Sequence, residues 1–74
     1  MVEKVYQNLA KVIVRRRLEA GITQEVLAKK ACISRPTLAN IEAGRQRIVV
    51  HRLLQLEKAL GLGKGMLLLL ACGK

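Results

Sequence analysis

The sequence predicts an all-α protein, a compact bundle of about five short helices, on three observations. Apolar residues recur at three- and four-residue spacing, without the alternating runs that make strands. Glycine and a single proline punctuate the chain at intervals of one short helix. The apolar half of the composition, 51%, is aliphatic: there is no Phe or Trp and Tyr6 is the only aromatic. Its core must therefore be built from Leu, Ile and Val. Seventy-four residues suffice for one small domain, expected to span 1–74, with a thin stability margin because small domains bury a smaller share of their surface.

Taken in order, Val5, Leu9, Val12 and Ile13 set a first helix from about Glu3 to Glu19, closed by Gly21 in a left-handed conformation. Thr23 suits the N-cap of a second helix, with Glu25 in its first turn where the helix dipole favours an anion. Val26, Leu27 and Ala31 form its expected buried stripe. After a break of Ala31, Cys32 and Ile33, Ser34 caps a third helix. Pro36 falls in its first turn, where the missing N–H has no intrahelical partner to lose. Leu38 and Ile41 face inward and Gly44 ends the helix. A loop of Arg45, Gln46, Arg47 and Ile48 then leads to a fourth helix, whose apolar face is expected to be Val50, Leu53, Leu54, Leu56 and Leu60. Gly61 stops it. Gly63 and Gly65 precede Met66 to Leu70, a last short helix. No repeat, linker or low-complexity tract interrupts the pattern.

Fourteen Lys and Arg stand against five Glu and no Asp, a formal net charge of +9. Such an excess attracts polyanions, because neutralising phosphates releases condensed counterions. Nucleic acid leads as partner and an anionic membrane surface comes second. The run Met66 to Cys72 is far shorter than the roughly 20 residues that span a bilayer. Cys32 and Cys72 lie apart, with no CxxC pair and only His51 as histidine, so neither a zinc site nor any other metal or cofactor is expected. Two such cysteines without a signal peptide read as reduced thiols of a cytoplasmic protein. No carboxylate pair or nucleophile–base couple suggests an enzyme.

Two short helices joined by a three- or four-residue break, at about 23–43 in a basic helical chain, form a helix-turn-helix arrangement. From about Leu9 to Leu60 the chain resembles the Cro/C1-type, or XRE, helix-turn-helix family. The marks are Gly21-Ile22-Thr23-Gln24, Leu27-Ala28, Ile33-Ser34-Arg35, Asn40-Ile41-Glu42-Ala43-Gly44 and Ala59-Leu60-Gly61, in order and at the family's spacing. The resemblance implies a lambda-repressor-like DNA-binding domain whose helix from Ser34 enters the major groove of double-stranded DNA. Carried over position by position, Arg35, Pro36 and Asn40 fall where the family reads bases. Arg35 suits guanine O6 and N7, and Asn40 suits adenine N6 and N7. Thr23, Gln24, Ser34 and Thr37 fall where it contacts phosphate, with Gln24 also bracing the recognition helix. Arg45 and Arg47 lie in the loop that follows the sugar-phosphate backbone. Arg17 and Glu42 match a buried or half-buried ion pair that ties the first helix to the third.

The chain departs from the family pattern at two positions. Cys32 stands where the turn usually has glycine, and Glu57 replaces a small residue on the inner side of the fourth helix. Glu57 is expected to pair with an arginine such as Arg16 or to reach solvent. Arg15, Arg16, Lys29 and Lys30 fit a solvated face as well as a DNA contact, and His51 reads as an exposed helix residue. The leucines after Gly65 exceed one narrow core stripe. Met66, Leu67, Leu69 and Leu70 are therefore expected, within about 62–72, to form a homodimer interface, the alternative being a lid on the core. The implied function is a transcriptional regulator, a repressor or controller, that occupies a palindromic operator and blocks or helps recruit RNA polymerase. The competing reading is an antitoxin-like protein that binds a partner toxin and represses its own operon.

Overall fold

The computed structural model describes residues 3–72; the ends of the expected domain, 1–2 and 73–74, lie outside the described residues. Five helices and no strand occur among them: α1 (Lys4–Glu19), α2 (Gln24–Ala31), α3 (Arg35–Glu42), α4 (Val50–Ala59) and α5 (Met66–Cys72). They make a globule of 27 × 25 × 21 Å. Helix α1 packs against α3 and α5, while α2 packs against α3 and α4. One aliphatic cluster sits between them, with Leu9, Ile13, Leu27, Leu38, Ile41, Leu56 and Leu67 fully buried. Tyr6 packs at its edge.

Helices α1 to α4 all end in the same way. After α1, the Gly21 N–H bonds the Leu18 carbonyl and the Ile22 N–H reaches back to Arg17; the ends of α3 at Gly44 and α4 at Gly61 repeat the pattern. This paired closure satisfies carbonyls the last turn would leave open, and it needs one left-handed residue. After α2 that residue is Cys32, at φ 60° and ψ 39°, its N–H bonded to Lys29 and the next N–H to Ala28. It is the one described non-glycine residue with positive φ. A side chain in this conformation costs about 1–2 kcal/mol, so the turn between α2 and α3 carries local strain.

Several core assignments need correction. Val26 is 40% exposed, because α2 buries Leu27, Ala28 and Ala31 and Val26 lies about 100° round the helix from Leu27. On α4, Leu56 is buried and Leu53 and Leu60 half-buried, whereas Val50 and Leu54 face outward. Leu54 is two residues, about 200°, from Leu56.

Glu57 is the larger surprise. Instead of pairing with Arg16 or meeting solvent, it is 1% exposed, and its two carboxylate oxygens accept the Gly65 and Leu67 N–H groups at 3.0 and 2.9 Å. Arg16 lies instead 3.6 Å from Glu19. The carboxylate thus satisfies donors at the start of α5 that no turn of helix can reach, where the dipole also favours an anion. At the other end of α5 the Asn8 Nδ2 donates to the Ala71 carbonyl at 3.3 Å. Between these ties Leu67 is fully buried, which removes it from any interface: it is a core residue of the subunit.

Replacing Glu57 by Ala should free α5 from the bundle. Two backbone donors lose a charged acceptor, so the unfolding free energy should fall by about 2–4 kcal/mol. Urea denaturation followed by circular dichroism measures this, and a loss below about 1 kcal/mol would show that Leu67 and the Asn8 bond to Ala71 hold α5 without the carboxylate.

Candidate nucleic-acid interface

Helices α2 and α3 form the two arms of a helix-turn-helix joined by Cys32, Ile33 and Ser34. Both N-termini are capped by a side chain: the Thr23 Oγ1 accepts the Val26 N–H, and the Ser34 Oγ accepts the Thr37 N–H, each at 3.2 Å. These caps use the oxygens of two hydroxyls expected at DNA phosphates. The Ser34 hydroxyl also donates to the Thr37 Oγ1 at 2.7 Å, which leaves the Thr37 O–H free to donate outward. Pro36 lies in the first turn of α3, where its ring costs no helix hydrogen bond.

On α3 the inward residues are Leu38 and Ile41, both fully buried. The outward side carries Arg35 and Pro36, both exposed, and Asn40, half-buried one turn beyond Pro36. That spacing of four puts Pro36 and Asn40 on one helical face. Arg35, the first residue of α3, is exposed beside them at the helix N-terminus, so none of the three expected base-reading positions belongs to the buried core.

The inner end of α3 is held by a polar knot. The Arg17 Nε and Nη2 donate to the two Glu42 oxygens at 2.8 and 3.1 Å, and the Arg17 Nη1 donates to the Ile22 carbonyl at 3.0 Å. Their side chains are only 13% and 4% exposed. The Gln24 Nε2 donates to the same carboxylate at 2.9 Å. One carboxylate thus ties α1, the start of α2 and the end of α3. Gln24 braces α3 through Glu42 with its amide N–H. Beside the knot, Leu18, Ile22, Glu25 and Arg35 border an open groove over Arg17 and Gln24.

The two loop arginines have different surroundings. Arg45 is exposed, and its N–H completes the end of α3 on the Asn40 carbonyl. Arg47 grips Glu3, its Nε and Nη2 meeting the two carboxylate oxygens at 2.8 and 2.6 Å. The hydrogen bonds from Arg47 hold the Glu3 carboxyl below its ordinary value, and the pairing raises Arg47. The pair is therefore intact at neutral pH, and its contribution is lost as pH falls through the lowered Glu3 value. Nothing in the local sequence pointed to this contact, which spans 44 positions.

Among the described residues no three His, Cys, Asp or Glu side chains gather as metal donors, and no helix is long and apolar enough to cross a membrane. Cys32 and Cys72 are exposed free thiols.

The helix-turn-helix family model (HTH_3) matches residues 13–65. Among solved structures, the chain is similar to the restriction-modification controller protein C.Esp1396I, crystallised as a tetramer in complex with its natural 35 base-pair operator. That match has 28% identity over 88% of this chain and 86% of that one, with a TM-score of 0.82. It is also similar to the clp gene regulator ClgR from C. glutamicum, at 25% identity over 99% and 94% of the two chains, TM-score 0.87. The controller protein C.AhdI from Aeromonas hydrophila, at 22% identity over 84% and 94% and TM-score 0.80, shares the fold. No curated protein matches the sequence.

Truncating Arg17 to Ala would strand the Glu42 carboxylate, with Gln24 its one remaining partner in the knot. The expected loss is about 3 kcal/mol of unfolding free energy, read from the urea midpoint. Arg17→Lys should recover only part of it, because an ammonium cannot span both oxygens and the Ile22 carbonyl. Full recovery by lysine would mean that charge alone, without the fork geometry, holds the three helices.

Proposed function

The chain belongs to the Cro/C1-type, or XRE, helix-turn-helix family, and from that premise we propose that it is a sequence-specific regulator of transcription. As a repressor or controller it binds double-stranded DNA as a homodimer, with α3 in the major groove of each half of a palindromic operator. There it blocks or helps recruit RNA polymerase. We assign it no catalytic step.

The observation that carries this reading is the display of Arg35, Pro36 and Asn40 on the outer side of a helix whose inner side is anchored by Leu38, Ile41 and Glu42. A recognition helix reads base edges mainly through its N-terminal residues, and needs a rigid mount to do so. In this reading Arg35 donates to guanine O6 and N7, Asn40 pairs with adenine, and Pro36 adds apolar contact. Thr23, Gln24, Ser34, Thr37, Arg45 and Arg47 position the helix on phosphates. The net charge of +9 supplies the sequence-independent attraction. The likeness to C.Esp1396I, itself crystallised as a tetramer on its operator, supports DNA as the ligand and assembly from several copies.

For the dimer, Met66, Leu69 and Leu70 are 38%, 64% and 39% exposed, side by side on a short outer helix face. Apolar side chains so gathered are better covered than wet. To read two half-sites, a dimer joined along α5 has to hold its two α3 helices about one DNA turn (~34 Å) apart. Residues 1–74 act in this scheme as one domain.

Selection of bound duplexes from a random library tests the reading. A palindromic consensus is expected, and Arg35→Ala and Asn40→Ala should each relax defined positions and lose about 1–3 kcal/mol on the selected site. Binding to every duplex alike, with steep salt dependence and no consensus, would reduce the protein to a non-specific binder. Separately, Leu69→Glu should leave the helical signal and thermal midpoint near the wild type, since the side chain is exposed. It should also convert the dimer to a monomer in sedimentation equilibrium. A Leu69→Glu protein that still sediments as a dimer would move the interface away from α5.

A further inference from the structure

Of the five glutamates, Glu42 and Glu57 are spent inside the fold and Glu19 lies beside Arg16, three residues away on the same helix. Glu25 sits in the first turn of α2. Glu3 is different: it lies at the start of α1 yet reaches the loop between α3 and α4, where it engages Arg47 through both oxygens.

We propose that Glu3 is an intramolecular stand-in for DNA phosphate: it occupies the Arg47 guanidinium in the free protein and weakens that arginine's hold on the DNA backbone. The inference rests on the DNA-binding reading above and adds a residue that opposes it.

Three features support it. The contact uses the Nε–Nη2 edge of the guanidinium in a two-bond fork, the same geometry with which arginine takes a phosphate. A carboxylate there and a phosphate are therefore alternatives for one set of donors. The pair is also exposed, at 63% for Arg47 and 54% for Glu3, so an incoming polyanion can reach it. Exposed ion pairs add little to stability, so folding does not require this one. Finally, the pair cancels one positive charge in the stretch 45–47 that otherwise presents two arginines and no acid. Binding DNA then becomes an exchange of carboxylate for phosphate at Arg47, with a smaller net gain than an unpaired arginine would make.

The test is a double-mutant cycle on the full chain, measured by fluorescence anisotropy with a short random-sequence duplex at low and at physiological salt. Glu3→Gln keeps the side chain's size and removes its charge. It should tighten binding about two- to five-fold at low salt, the range an exposed pair of this kind commands, with a smaller gain as salt screens the pair. In an Arg47→Ala background the same substitution should change affinity hardly at all. An equal gain with and without Arg47 would overturn the inference, since only net charge would then matter. Unchanged or weaker binding by Glu3→Gln would overturn it too, making Glu3 an orienting residue or a bystander. If the wild type binds no duplex, the DNA reading falls and takes this inference with it. Wild-type binding that is indifferent to Glu3 removes the inference alone.

Discussion

The Glu42 carboxylate is the constraint on which the placement of the other parts depends. It is almost sealed from solvent, and a buried carboxylate is tolerable only when its lone pairs are filled by good donors. Here the donors come from two other helices: a guanidinium fork from α1 and an amide from the first residue of α2. Because the acceptor is on the last residue of α3, satisfying it also sets where α3 lies relative to both. Leu38 and Ile41 could pack against an aliphatic core in several ways. The fork geometry of Arg17 removes that freedom, since it must meet two oxygens and the Ile22 carbonyl at once. A helix that presents side chains to another molecule gains from such a directional mount.

The second buried acid serves a different purpose. Glu57 ties the backbone of α5 to α4, and Asn8 ties its far end to α1. These polar anchors let a seven-residue helix stay on the bundle while committing only Leu67 and, in part, Ala71 to the core. The rest of its leucines are left for the outer face. Packing by apolar contact alone would have drawn more of them inward. The short helix therefore closes the core through Leu67 and leaves Met66, Leu69 and Leu70 on its outer face, the arrangement on which the proposed interface rests.

Much of the architecture was legible along the chain because it rests on local chemistry. Helical spacing of the apolar residues, Thr23 and Ser34 as caps, Pro36 in a first turn and glycines after three helices placed all five helices within a residue or two of their bounds. The left-handed turn at Cys32 could be located from the chain as well, although the residue there is an unfavourable one for it. The spacing of Arg17, Gln24 and Glu42 likewise belongs to the run that carries the family resemblance.

What the chain by itself determined is thus the helices, their ends, the basic charge and the pair of short helices that resembles a recognition unit. Only the tertiary structure decided where the inward faces end: Leu38 and Ile41 face inward as their spacing predicts, but Val26, Val50 and Leu54 turned out, and Leu67 turned in. It also decided where the glutamates go. Glu57 found backbone donors on α5 and Glu3 found Arg47, contacts between segments far apart in sequence. The reason is physical: caps and periodicity act within one or two turns, whereas a carboxylate's partner is whichever donor the packed helices bring within about 3 Å.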